Sequence, residues 1–129
     1  MLIIKSYSGD VMNFEMAKDM AEMECIEVET IIVDCDIAVE DSTFTAGRRR
    51  VVDGTVLVHK ILGAYADQGK SLAEVKAAAD KLVPNIKTIW VALTGATVPA
   101  VGKPGFVLAD DEIDYGVGIH GEPGYRKEK

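Results

Sequence analysis

The sequence predicts an α/β domain with a mixed or mostly parallel sheet flanked by helices. Three observations support this fold class. Short apolar runs alternate with stretches in which apolar residues recur every three or four positions. Residues 26–33 become continuously apolar towards their end, as in a strand covered on both faces. With 129 residues, 48% of them hydrophobic, the chain is long enough to bury a core without disulfides or metals.

Composition excludes several classes of protein. Fourteen Lys and Arg against 21 Asp and Glu give a net charge of −7, which argues against a nucleic-acid-binding protein because phosphate contacts need clustered basic residues. No apolar stretch approaches the roughly 20 residues that cross a bilayer, and no secretory signal opens the chain. We therefore expect a cytoplasmic protein with no membrane or nucleic-acid partner, in which Cys25 and Cys35 are reduced.

The first 34 residues predict one βαβ unit. An apolar strand over residues 2–4 ends at Lys5, and Asp10 is predicted to cap the following helix because N-caps strongly favour Asp. Residues 26–33 supply the second strand. Apolar residues at spacings of three and four predict the buried face of the helix: Phe14, Ala17, Met20 and Ala21.

A long loop and two helices are predicted next. Residues 34–52 lack periodicity, and loops of this length in compact domains are usually functional or mobile. Asp53 is predicted to cap a helix that extends to about Asp67. Ser71 and Glu74 form a capping box for a further helix through Leu82. The remaining predicted strands are residues 86–93, 106–108 and 115–119.

Three familiar ligand motifs are rejected. Gly116, Gly118 and Gly121 fit GxGxxG, but a dinucleotide site needs a helix directly after the glycines, and Pro123 follows instead. The Gly-Lys pair ending at Lys103 lacks the Ser or Thr of a phosphate loop. Neither the two His nor the two Cys have a zinc-site spacing. We therefore expect this chain itself to bind no nucleotide and no metal.

The candidate site residues are Lys5, Asp10 and His120. Lys5 and Asp10 follow the first strand, where α/β folds bind ligands; the alternatives are a solvated strand end and a helix cap. His120 lies among glycines that permit close approach, and an unprotonated imidazole nitrogen is a base or nucleophile; the alternative is a turn histidine bonded to a carbonyl. We favour a packed or surface role for His59, and a solvated loop over a phosphate or acidic-partner site for the arginines 48–50.

Several short segments occur in a distinctive order along essentially the whole chain. They are Tyr7-Ser8-Gly9-Asp10, Asn13-Phe14, Glu40-Asp41-Ser42-Thr43, Gly47-Arg48-Arg49, Val58-His59-Lys60, Val98-Pro99-Ala100 and the GIHGEPG segment at 118–124. Together they resemble the dihydroxyacetone kinase family, and within it the dihydroxyacetone-binding subunit or the equivalent domain of single-chain enzymes.

This resemblance implies a covalent mode of substrate binding. His120 would attack the ketone of dihydroxyacetone through Nε2 and hold it as a hemiaminal. Asp10 would accept a hydrogen bond or a proton from a substrate hydroxyl, and Lys5 would contact the substrate. ADP or ATP and magnesium would belong to a nucleotide-binding kinase subunit or domain, and the full family subunit would be a homodimer. The phosphoryl donor, a phosphotransferase system or ATP, and the exact carbonyl substrate stay open.

The chain also departs from the family pattern. The family has a glycine-rich GGGSGHEP loop upstream of the first strand and continues beyond Gly124, and residues 1–129 contain neither part. We therefore expect them to be a single segment of the substrate-binding domain, an incomplete part of a larger two-lobed subunit that is inactive alone. The alternative is a non-catalytic module that binds dihydroxyacetone or pairs with a regulator.

Overall fold

The structure is a computed structural model that describes residues 1–38, 54–97, 99–117 and 124–129. Its elements are β1 (Leu2–Lys5), α1 (Ser8–Met23), β2 (Thr30–Val33), α2 (Gly54–Asp67), α3 (Leu72–Leu82), a 3₁₀ turn (Val83–Asn85), β3 (Val91–Ala92), β4 (Ile113–Tyr115) and β5 (Arg126–Glu128). This mixture of helices and small sheets confirms the α/β class. Within these ranges no helix is both long and apolar enough to cross a membrane. The chain divides into two compact units.

The first unit contains Met1–Asp36 and Glu40–Thr88, of which residues 54–88 are described after the gap. It opens with the predicted βαβ arrangement. β1 and β2 pair in parallel, with Leu2 opposite Thr30 and Lys5 opposite Val33. Parallel neighbours need a crossover connection, and α1 provides it.

The second strand begins at Thr30, later than predicted. α1 ends in a turn in which Cys25 adopts a left-handed backbone conformation, with φ of 58°. The N–H groups of Cys25 and Ile26 donate to carbonyls of the last helical turn, which satisfies groups that a helix end would otherwise leave unpaired. The pairing with β1 begins at Leu2 opposite Thr30, with the Leu2 N–H donating to the Glu29 carbonyl at 2.8 Å, and residues 26–29 have no strand partner in the described part of the chain.

The prediction that Asp10 caps α1 was wrong. The N-cap residue is Tyr7, whose extended backbone (φ −129°, ψ 137°) directly precedes Ser8. Asp10 therefore lies inside the first turn of the helix, where a carboxylate interacts favourably with the positive end of the helix dipole.

The predicted buried face of α1 is only partly correct. No residue of α1 is fully buried; Phe14 and Ala21 are half-buried, whereas Ala17 and Met20 are exposed. The two-stranded sheet is too narrow to cover a helix of four turns. As a result, α1 carries a row of exposed methionines: Met12, Met16, Met20 and Met23.

The core of the first unit lies between β2, α2 and α3. It consists of Val33, Cys35, Val58, Leu62, Val75, Ala79, Val83 and Ile86. The predicted capping box opens α3: Ser71 Oγ accepts from the Glu74 N–H at 3.3 Å, and the Glu74 carboxylate accepts from the Ser71 N–H at 2.9 Å. Asp53, the predicted cap of α2, lies outside the described residues.

The second unit contains Ile37–Val39 and Ile89–Lys129, apart from the undescribed residues. Its sheet has the order β3-β4-β5 and is antiparallel, with Tyr115 pairing both Val91 and Arg126. The strand predicted over residues 86–93 shortens to β3, because Ile86 packs instead into the core of the first unit. The strand predicted from residue 115 begins earlier, and residues 118–119 are not described.

The strand predicted over residues 106–108 is wrong. None of these three residues belongs to a strand, and Val107 is 79% exposed. A run of three residues supplies few ladder hydrogen bonds, so a strand there depends on pairing with a partner far along the chain.

A buried carboxylate lies under the end of the β4–β5 connection. Asp114 of β4 is 5% exposed, and its Oδ1 has no hydrogen-bond partner within the described part of the chain. Gly124 lies so close that a Cβ at this position would overlap the Asp114 carboxylate. The position therefore accepts only glycine without rearrangement.

Candidate functional site

A cavity of about 480 Å³ opens beside β1 in the first unit. β1 contributes Lys5 and the apolar residues 1–3, while α1 contributes Asp10 and Phe14. Thr55 and His59 of α2 complete the walls. The structure thus brings Lys5 and Asp10 together in one cavity, which is where the sequence predicted a ligand site.

Lys5 and Asp10 meet because the chain turns sharply between β1 and α1. The Ser6 N–H donates to the Val33 carbonyl at 3.1 Å, and the Tyr7 N–H donates to the Lys5 carbonyl at 2.7 Å. This turn starts the helix directly after the strand, so its first turn carries Asp10 beside the strand end. Lys5 is exposed and Asp10 half-buried. The cavity therefore offers a ligand one ammonium and one carboxylate.

The α2 wall adds two polar side chains that sequence reasoning did not place in the site. Thr55 and His59 are four residues apart and so share one side of the helix. Thr55 is 5% exposed, and its hydroxyl oxygen is buried with no hydrogen-bond partner among the described residues. His59 is exposed, as predicted, yet it also lines the cavity.

Comparison with known proteins decides the family. The whole chain, residues 1–129, matches the Dak1 domain. The chain belongs to the Dak1 domain family. This confirms the resemblance to dihydroxyacetone kinase that the sequence motifs indicated.

Two relatives of the Dak1 chain come from Lactococcus lactis. The chain is 72% identical over 129 residues to the "PTS-dependent dihydroxyacetone kinase, dihydroxyacetone-binding subunit DhaK", covering 100% of this chain and 39% of that protein. It is 46% identical over 128 residues to the "DhaKLM operon coactivator DhaQ", covering 99% of this chain and 38% of that protein. The chain thus spans less than half the length of these relatives.

Solved structures give the same family and fold. The "Dihydroxyacetone kinase operon co-activator Dha-DhaQ" superposes with a TM-score of 0.83 at 46% identity, covering 98% of this chain and 38% of that one. The dihydroxyacetone kinase of C. freundii in complex with AMP-PNP and Mg²⁺ superposes with a TM-score of 0.80 at 35% identity, covering 98% and 23% respectively.

His120 of the Dak1 chain lies outside the described residues, as do the arginines 48–50. The residues on either side of 118–123 are nevertheless tied together. The Tyr125 N–H donates to the Tyr115 carbonyl at 2.6 Å, and the Gly116 N–H donates to the Trp90 carbonyl at 2.7 Å. The segment that carries His120 thus connects β4 to β5.

The described part of the Dak1 chain contains no group of three or more His, Cys, Asp or Glu side chains that could hold a metal ion. Both cysteines are free thiols. Burial raises the pKa of the Cys35 thiol, against a smaller lowering effect of the Thr88 side chain, which leaves this thiol a poor nucleophile.

Proposed function

We propose that this Dak1 chain is a segment of the dihydroxyacetone-binding component of a dihydroxyacetone kinase. The observation that carries the proposal is the shared cavity of Lys5 and Asp10, the two candidate site residues that the structure describes. The 72% identity to a dihydroxyacetone-binding subunit over the whole chain supports it further. The product is dihydroxyacetone phosphate.

Covalent capture through His120 explains the choice of substrate. Nε2, unprotonated in the tautomer that carries its proton on Nδ1, adds to the carbonyl carbon, so that one N–C bond forms and the π bond of the carbonyl breaks. The Nδ1 proton leaves to water, and water returns a proton to the alkoxide oxygen, which gives a neutral hemiaminal. Glycerol has no carbonyl to attack and is not retained. Lys5 donates a hydrogen bond to a substrate oxygen, since an ammonium carries donors only.

Asp10 acts on the substrate hydroxyl that is phosphorylated. Its carboxylate orients this hydroxyl and takes its proton as the oxygen forms the new bond to phosphorus. A nucleotide-binding subunit or domain would hold ADP or ATP with magnesium. The phosphoryl group would come from the γ-position of ATP, whose bond to the β-phosphate oxygen breaks as the new P–O bond forms; bound ADP would first have to be phosphorylated by the phosphotransferase system. The complete component acts in the cytoplasm as a homodimer.

The adduct is tested with dihydroxyacetone labelled with ¹³C at the carbonyl carbon. On binding, the ¹³C signal moves from the ketone region to that of a tetrahedral carbon, because the hemiaminal carbon has four single bonds. His120→Ala abolishes this shift, whereas His59→Gln retains it. A signal that stays in the ketone region with the native protein would refute covalent capture.

The role of Asp10 is tested by Asp10→Asn in the complete subunit that contains this segment, in complex with the nucleotide-binding partner. We expect kcat to fall by about 100-fold or more, since a positioned general base contributes on that order, while the ¹³C adduct persists. Asp19→Asn is the matched control, because Asp19 is an exposed aspartate of the same helix. Unchanged turnover in Asp10→Asn would leave Asp10 with a structural role only.

A second candidate function is regulatory binding without catalysis. It is favoured by the similarity to the coactivator DhaQ in both sequence and structure. In the complete subunit that contains this segment, the ¹³C adduct together with no turnover in the presence of the nucleotide-binding partner would select this function over the kinase component.

A further inference from the structure

Thr55 is a cavity residue whose hydroxyl has no partner in the described fold. It lies in the first turn of α2 and lines the cavity together with Lys5 and Asp10. The residue is 5% exposed, and Oγ1 is shielded from solvent without a hydrogen-bond partner among the described residues. A buried hydroxyl without a partner destabilises a fold. Valine has the same shape and would therefore serve a purely structural role better than threonine.

Chain that packs against the outside of the first unit cannot supply the missing partner. Oγ1 is shielded from solvent by residues 1–129 themselves, so a further segment laid on the surface does not reach it. The Thr55 side chain nevertheless forms part of the cavity wall. A small molecule bound in the cavity can therefore contact Thr55 directly.

Rotation of the Thr55 side chain can bring its hydroxyl to such a molecule. The Cβ atom of threonine carries a methyl group and Oγ1, and threonine in a helix populates two χ1 rotamers. A change of rotamer moves Oγ1 out of its buried position without moving the backbone of α2. Because Oγ1 has no hydrogen bond to a described residue, the rotation breaks none there.

The polar groups of the cavity walls indicate the class of ligand. An ammonium such as that of Lys5 only donates hydrogen bonds, an ionised carboxylate such as that of Asp10 only accepts them, and the Thr55 hydroxyl does both. One positive and one negative group suit a neutral ligand, and groups that donate and accept suit hydroxyls. All three residues belong to the first unit, so this combination needs no residue of the second.

We propose that Thr55 is a ligand-binding residue of this cavity, and that its hydroxyl turns towards a small neutral polyhydroxy ligand and hydrogen bonds to one of its oxygens. Dihydroxyacetone belongs to this class, so the inference rests on the proposed function and adds a residue to the same site. It predicts that loss of the Thr55 hydroxyl weakens ligand binding but does not weaken the fold.

The test uses Thr55→Val in the complete subunit that contains this segment. Calorimetry gives the Kd for dihydroxyacetone, and thermal unfolding without ligand gives the stability. We expect binding to weaken by about 10-fold, the loss of one hydrogen bond. The unfolding midpoint should be equal or higher, because a methyl group replaces an unpaired buried hydroxyl. Thr55→Ser keeps the hydroxyl and should bind dihydroxyacetone like the native subunit.

Thr88→Val is the matched control, because the Thr88 hydroxyl oxygen is also buried in the first unit but Thr88 does not line the cavity. It should leave the Kd unchanged. Native affinity in Thr55→Val would overturn the inference. Weaker binding together with a lower unfolding midpoint would also overturn it, since that pattern indicates a structural role. A native subunit that does not bind dihydroxyacetone would instead contradict the proposed function.

Discussion

At the scale of single residues, the polar groups of the cavity lie directly beside core residues. Lys5 is exposed between the buried Ile4 and Ser6, as strand alternation requires, and His59 follows the buried Val58. Alternation made the direction of Lys5 predictable. His59 could not be assigned in the same way, because helical spacing identifies a face of α2 but not the element that this face meets.

The contact of Gly124 with the Asp114 carboxylate gives a stability prediction. Gly124→Ala places a methyl group where the carboxylate lies, and such overpacking costs about 1–3 kcal/mol. Urea unfolding followed by fluorescence measures the loss. Gly105→Ala serves as the control, because a Cβ at Gly105 has no neighbour within 4 Å. Equal unfolding midpoints for the two variants would show that Asp114 moves aside without cost.

At the scale of elements, the sequence predicted most features that depend on residues close in the chain. It did not predict strands whose pairing partner lies far along the chain. The βαβ unit and the capping box of α3 follow from residues close in sequence, and both are present. The strand predicted at 106–108 is absent because strand formation depends on a partner far along the chain. The N-cap of α1 was misplaced by three residues for a local reason, since several polar residues in the turn before α1 could begin the helix.

The capping box predicts how the stability of α3 depends on pH. Hydrogen bonds from the Ser71 N–H and hydroxyl, with a smaller effect of Lys70, lower the pKa of Glu74 from 4.5 to about 2. A lowered folded-state pKa adds stability above the unfolded value, and this stability is lost as the pH falls through the folded value. The native chain should therefore be more stable than Glu74→Gln at neutral pH.

The advantage of the native chain over Glu74→Gln should shrink between pH 4.5 and about 2. Thermal unfolding of both proteins across this range measures it. Ser71→Thr should behave like the native chain because it keeps a capping hydroxyl. A constant difference between native protein and Glu74→Gln over the whole range would contradict the capping role of the charge.

At the scale of the whole molecule, the two units differ in how much apolar surface they bury. The first unit contains the core cluster around Val33, Val58 and Leu62. In the described part of the second unit, the buried side chains are Val117, at 9% exposure, and the polar Asp114. Hydrophobic burial is the main stabilising contribution in a fold, so the first unit should be the more stable one.

Hydrogen exchange tests this difference. Amides of β2, α2 and α3 should exchange more slowly than those of β3, β4 and β5, because local opening is easier where few apolar contacts are lost. Leu62→Ala should cost about 2–5 kcal/mol and speed exchange in α2 and α3. Equal protection in both units would show that they open together.

The methionine row of α1 has a consequence for oxidative chemistry. Met12, Met16, Met20 and Met23 are each more than half exposed, from 59% to 75%. Peroxide reaches such thioethers readily and converts them to polar sulfoxides, a lesion that usually disrupts packing when the methionine is part of a core. Here the sulfoxides would form on a helix without a buried residue. Several methionines of α1 should therefore be oxidised to sulfoxides before oxidation affects the hydrophobic core around Cys35.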